Sequence, residues 1–371
     1  MPSKILFLIH DLGPGGAEKV LVNLVNNMDT TQFDITVMSL FDEGVNRQFL
    51  GPKVTYKYCF KKAIRGNSHL MKLLSPQALH RWLIKEHYDI EISYLEGPCA
   101  RIVSGCPDPD TKKVGWIHIE QRTRNQAAAS FRSFGESMEV YGAFDRIICV
   151  SESVRKDFLR LLPVTVPTQV LYNTNESSKI LTMSREPVES ALFSDGEIKL
   201  VGVGKLLESK GFHRLIPMVR KLREEGFPVH LYILGTGPMK EELEKLAGAH
   251  GVSSAVSLLG YRTNPYKYVA KCDLFICASY AEGFSTAATE ALIVGTPVCT
   301  VEVSGMKEML GENNRWGVVT DNDDEALYRG IRGLLDNPGR LAHYKEMAAQ
   351  RGKTFSTDNT VRAVEEMLKN L

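Results

Sequence analysis

The chain of 371 residues lacks any long apolar run. Its longest, Ile5–Ile9 and Leu274–Ala278, are strand-length, far below the ~18 residues of a membrane span. The N-terminus lacks the charged, long-apolar, small-residue order of a signal peptide. No C-x-x-C occurs among the seven cysteines, and their number is odd. Reduced thiols in a cytosolic protein are the expectation, and a zinc site is not. Nor is there charge of one sign: the formal net charge is +1, so no global field argues for nucleic acid. What remains is a soluble composition, 43% hydrophobic and 24% charged, long enough for two domains.

Short β-rich runs alternate with helical patterns. Lys4–His10, Asp34–Leu40, Asp89–Leu95, Lys113–His118 and Asp145–Ser151 read as strands. Pro163–Glu197 changes character: rich in Pro, Ser, Thr and Asn, it reads as a linker with one short strand, Gln169–Tyr172. The alternation then restarts with Lys199–Gly204, Val229–Gly235, Val256–Gly260, Asp273–Ser279 and Pro297–Val301. Helices are expected over Ala17–Met28, Gly211–Glu225, Met239–His250, Thr289–Val294, Glu325–Asp336 and about Asn359–Leu371. The pattern predicts two doubly wound α/β domains: 1–172, a linker at 173–197, and 198–354, with a final helix over 355–371. Such sheets bind ligands beyond the carboxyl ends of their strands, and two facing domains make a cleft.

The chemistry-bearing residues gather at those ends. Lys205 follows one strand and Lys210 precedes the next helix, fixed positive charge suited to a diphosphate. Two surface lysines before a helix would look the same. Glu282–Gly283–Phe284–Ser285–Thr286 closes another strand, a turn able to bring backbone N–H groups to a ligand. Carboxylates grip vicinal diols, so Glu290 suits a ribose and Glu282 a hexose. The plain alternative for Glu290 is a favourable charge in the first turn of a helix. Gly13–Pro14–Gly15–Gly16 turns the first strand into the first helix. It falls short of G-x-G-x-x-G because Glu18 stands where the third glycine belongs. His118 closes a strand of the first domain and reads either as a cleft residue or as a partly buried histidine. Glu120 and Arg122 follow in a polar loop that either contacts an acceptor or is solvated.

Residues 53–85 carry Lys57, Lys61, Lys62, Arg65, Lys72 and Arg81 with interleaved aromatic and aliphatic residues, and no acid. The stretch reads as a basic patch for an anionic membrane or as a solvated helix face. RNA is a third reading, but no recognition module accompanies the patch. Asp108–Pro109–Asp110 and Asp321–Asn322–Asp323 read as turns rather than metal ligands.

Taken together these residues resemble the family-4 retaining glycosyltransferases. The similarity runs through GPGGAEKVLVNL, KVGWIHIE, RIICVSESVRKDF, VLYNTNE, VGVGKLLESKGFHRLI, GYRTNPYKYVAKCDLFICAS and AEGFSTAATEALIVGTPV. It implies the GT-B architecture, two Rossmann-like domains facing across a cleft, with the final helix crossing back to the first. Carried over, Glu282 holds the donor sugar and Glu290 the ribose. Gly283, Phe284, Ser285 and Thr286 meet sugar and diphosphate, and Lys210 binds the diphosphate. Lys205 stands where the family has arginine, keeping charge without the planar fork. Gly15 and Gly16 lie near the phosphates, His118 near the transferred sugar, and Tyr261 and Arg262 at the base.

The resemblance further implies retention of configuration, no metal and no cofactor beyond the nucleotide-sugar substrate. The reading is a cytoplasmic enzyme at the inner face of the membrane. It moves a hexose from a nucleotide sugar, UDP-linked by expectation, to a glycan on a polyprenyl lipid, in bacterial surface polysaccharide synthesis. Rival readings are a sugar-nucleotide epimerase or phosphorylase on the same fold, an NAD-dependent oxidoreductase, and a non-catalytic sugar-nucleotide-binding subunit.

Overall fold

The computed structural model describes residues 2–62, 71–189 and 192–371. They form two compact units, Met1–Asn175 with Thr357–Leu371, and Glu176–Ser356.

The first unit holds β1 (Ser3–Ile9), β2 (Phe33–Phe41), β3 (Thr55–Phe60), β4 (Ile90–Ser93), β5 (Lys112–Ile117), β6 (Arg146–Cys149) and β7 (Thr168–Val170). They form one sheet in the order β3-β2-β1-β4-β5-β6-β7, and every pair is parallel. Ile5 through Ile9 are wholly buried, as a central parallel strand covered on both faces requires. Edge strand β3 was not expected. Its alternation of Tyr56, Lys57, Tyr58, Cys59 hid in the basic stretch 53–85, whose described residues include this strand and a helix over Pro76–Leu83. Lys57 pairs with Glu86, one residue beyond the acid-free window. Arg65 lies outside the described residues.

The second unit holds β8 (Ile198–Val203), β9 (Val229–Leu234), β10 (Val256–Gly260), β11 (Leu274–Cys277), β12 (Val298–Val301) and β13 (Val318–Thr320). Their order is β10-β9-β8-β11-β12-β13, again all parallel.

The segment 173–197 is not a free linker. Asn173, Thr174 and Asn175 are buried in the first unit, where Asn23 Nδ2 donates to the Thr174 carbonyl at 3.1 Å. A helix over Ser177–Ser184 opens the second unit and buries Ile180. Asn264 Nδ2 ties its end at the Met183 carbonyl, 2.9 Å. Some of the polar residues that suggested a linker bond its own main chain: Asn175 Nδ2 donates to the Asn173 carbonyl at 3.2 Å and Ser184 Oγ to the Leu181 carbonyl at 2.8 Å. A helix over Pro338–Gly352 also went unexpected. Its start is written in Asn337–Pro338, with Asn337 accepting from Arg340 N at 3.1 Å.

The last helix, Thr357–Lys369, buries Val361, Val364, Met367 and Leu368 and belongs to the first unit. Thr357 Oγ1 donates to the Asn175 carbonyl at 2.8 Å, and Glu365 Oε1 accepts from Asp29 N at 2.6 Å.

Candidate functional site

Each sheet reverses its strand order once, and ligands of open α/β sheets sit at that reversal. In the second unit it falls between β8 and β11. The loop after β8 carries Lys205 and Lys210, and the loop after β11 carries Glu282. These loops meet: Lys210 Nζ lies 2.6 Å from Glu282 Oε1, which also accepts from Ser279 Oγ at 2.7 Å. The Tyr280 N–H donates to the Ser209 carbonyl at 2.8 Å, stitching the two loops by main chain.

Glycine is required at the joint. Gly211 adopts a left-handed φ of 68°, and a Cβ there would stand 2.1 Å from the Ala278 carbonyl oxygen. Lys210 is therefore delivered to Glu282 by a turn that only glycine completes. Burial works to lower the Lys210 pKa, but the charge and hydrogen bond of Glu282 outweigh it and hold the ammonium above its ordinary value. Lys205 is exposed.

Ser285 caps the helix Thr286–Ile293, its side chain accepting from Ala288 N at 3.4 Å. Glu290 lies in the second turn of that helix and is buried, with Tyr266 Oη 3.3 Å from its Oε1. A charge that merely decorates a first turn does not describe it. Phe284 is buried edge-on against Phe355, ring centroids 5.7 Å apart, which anchors the turn behind Glu282. Tyr261 and Arg262 follow edge strand β10, two strands from β8. Tyr261 is exposed, and the Arg262 guanidinium stands 5.6 Å over the Tyr268 ring.

In the first unit the reversal falls between β1 and β4. Gly15 and Gly16 follow β1, and Gly15 precedes the first residue of the helix Gly16–Asn27. A Cβ on Gly15 would stand 1.9 Å from Glu18 Oε2. The carboxylate of Glu18, in place of a third glycine, thus folds onto the helix N-terminus where an anion would rest. Glu96 follows β4. Its Oε1 accepts from the backbone of His118 at 2.5 Å and of Ile119 at 3.0 Å. Burial raises the Glu96 pKa, while backbone N–H groups work against the rise.

His118 follows β5, with its ring against Tyr94 and Trp116 at centroid distances of 4.8 and 6.3 Å. Burial pushes its pKa down to about 3, against a hydrogen bond to the Tyr94 main chain. Its Nε2 is buried and has no partner among the described residues. Nδ1 therefore carries the proton, toward the Tyr94 carbonyl, and Nε2 presents a lone pair. Glu120 and Arg122 pair with each other, Nε to Oε1 3.2 Å.

Sequence reasoning missed Glu96, Ser279 and Arg214. Glu96–Gly97 repeats at the end of β4 the acid–glycine pattern that singled out Glu282–Gly283, so the signal was present. Asp108 Oδ1 accepts from Asp110 N at 3.0 Å, a turn as read. Asp323 caps the helix Asp324–Leu335, accepting from Ala326 N at 2.8 Å. Among the described residues His80, Glu91 and Cys106 stand close enough to share a cation. His80 Nε2 instead already meets both Glu91 oxygens, at 2.9 and 3.0 Å.

Comparison with known proteins follows the division of the chain. Residues 184–351 match the model of the glycosyl transferases group 1, and residues 14–174 that of glycosyltransferase family 4. A Campylobacter jejuni relative is 26% identical over 385 residues, covering 99% of both chains. It is described as N-acetylgalactosamine-N,N'-diacetylbacillosaminyl-diphospho-undecaprenol 4-alpha-N-acetylgalactosaminyltransferase. The lipopolysaccharide core biosynthesis glycosyltransferase LpsD of Rhizobium meliloti is 23% identical, covering 98% of this chain and 96% of its own. Among solved structures, Anabaena HepE in complex with UDP superposes with a TM-score of 0.78 at 19% identity, over 99% of this chain and 100% of its own.

Proposed function

Because the chain belongs to the group 1, family 4 glycosyltransferases and has their GT-B fold, we propose that it moves a hexose from a UDP-sugar to a lipid-linked glycan, with retention of configuration and without a metal. The observation that carries this reading is the meeting of Lys210 and Glu282 at the strand reversal of the second sheet.

A lysine ammonium has three donors, and Glu282 engages one of them. The others, with exposed Lys205, face a diphosphate. As the bond from the sugar's anomeric carbon to phosphate oxygen breaks, the diphosphate takes the electron pair, and these fixed cations stabilise it. The acceptor hydroxyl forms its bond on the same face and passes its proton to the departing phosphate. Glu282 holds the sugar's hydroxyls and Glu290 the ribose. The turn 283–286 supplies main-chain donors. Tyr261 and Arg262 serve the base, and His118 Nε2 accepts from a sugar hydroxyl. Gly15 and Gly16 approach the phosphates only if the Glu18 carboxylate withdraws. Acceptor binding is assigned to Glu120 and Arg122.

The lipid-linked acceptor draws support from the Campylobacter relative, whose described acceptor is a diphospho-undecaprenol. The UDP donor draws support from the HepE complex. Lys61, Lys62 and exposed Trp82 supply cations and an apolar anchor for an anionic membrane surface. No helix among the described residues is long and apolar enough to cross a membrane.

The test is a thermal-shift panel of UDP-, GDP- and ADP-sugars, followed by transfer to a polyprenyl-linked acceptor with and without EDTA. Free UDP that appears only with acceptor, a product of unchanged anomeric configuration, and indifference to EDTA are expected. Stabilisation by none of the nucleotide sugars overturns the proposal.

A further inference from the structure

Arg214 sits in the first turn of the helix Phe212–Glu224, where a cation runs against the helix dipole. Helix stability gives no reason for it. Its side chain is 1% exposed, and a buried guanidinium must have its donors engaged.

Its partners come from two loops. Nη1 donates to the Ala278 carbonyl at 2.9 Å and to Asn322 Oδ1 at 2.8 Å, and Nε donates to Asp324 Oδ1 at 2.6 Å. The guanidinium carbon lies 4.7 Å from the centre of the Tyr280 ring. Ala278 and Tyr280 belong to the segment that runs from β11 to Glu282, while Asn322 lies in the loop after β13 and Asp324 opens the helix that follows it. Asn322, from the run Asp321–Asn322–Asp323, thereby finds a use beyond a turn: with Asp324 it braces a cation whose far side grips the segment before Glu282.

We propose that Arg214 is a positioning residue for sugar transfer. Braced by Asn322 and Asp324, it holds the segment 278–282 so that Glu282 stands at Lys210. It acts through Ala278 and Tyr280 and does not itself touch substrate. The claim rests on the proposed function for its kinetic consequence, and on geometry alone for the placement of the loop.

Arg214→Lys keeps the charge but cannot reach carbonyl, amide and carboxylate together. It is expected to raise KM for the nucleotide sugar about tenfold or more and to lower kcat. Asp324 is largely exposed, 69%, so Asp324→Ala leaves the fold intact if Arg214→Lys does not. It is expected to shift KM in the same direction by a smaller factor.

Hydrogen exchange at Ala281–Phe284 gives a reading independent of substrate. Both variants are expected to speed exchange there and leave β8 and β9 protected. Faster exchange with no nucleotide sugar bound by the wild type sinks the proposed function and keeps the positioning claim. Unchanged exchange, or wild-type KM and kcat in both variants, overturns the positioning claim.

Discussion

Lys210 and Glu282 divide the work of one ion pair between charge and geometry. Glu282 keeps the ammonium charged despite its burial, and Lys210 orients the carboxylate. Lys210→Ala is expected to lower turnover about 10²–10³-fold with little loss of fold, measured as UDP release by the purified protein. Activity within a factor of a few of wild type would remove the pair from the reaction. His118 gives a second residue-scale prediction. An unfolded imidazole takes a proton below about pH 6.5, whereas the folded ring does so near 3. Between those values the unfolded chain binds more protons, so this ring withdraws stability as the pH falls through that window. Glu96, with its raised pKa, acts in the opposite sense. Ring-nitrogen NMR should show His118 as the neutral Nδ1–H form from pH 5 to 8, and a midpoint near 6.5 would reject it.

At the scale of elements, what the sequence disclosed depended on burial. β1 and β11 announce themselves because parallel strands covered on both faces need unbroken apolar runs. β3 did not, because an edge strand of Tyr, Lys and Cys has one partner and a mixed surface. The meeting of the acid–glycine turn at Glu282 with Lys210 was legible, since their strand ends fixed their place, whereas Lys205 is exposed and meets neither. Arg214 was not legible: nothing in its neighbours along the chain says that its partners lie more than sixty residues away. The element that joins these parts is the turn at Gly211. Gly211→Ala puts a methyl against the Ala278 carbonyl in a left-handed conformation. It is expected to destabilise the second unit by about 1–3 kcal/mol, read from denaturant unfolding. Wild-type stability would mean that the two loops separate easily.

At the scale of the whole molecule, the chain leaves the first unit at Asn175, builds the second, and returns at Thr357. The returning helix buries four large apolar side chains, Val361, Val364, Met367 and Leu368. Full burial of such a side chain contributes about 1.5–3 kcal/mol, and a domain's whole margin is about 5–15 kcal/mol. Removal of residues 357–371 is therefore expected to unfold the first unit. Amide protection should disappear from β1–β7 and persist in β8–β13. Retained protection in both would reduce the helix to an ornament.

That return has a consequence for biosynthesis. A ribosome emits the helix that completes the first unit only after everything in Glu176–Ser356 has emerged. During that delay the apolar seat for Val361 and Leu368 stands bare in the nascent polypeptide. The half that begins first thus finishes last, and chaperones that shield sticky surfaces have their longest appointment with it.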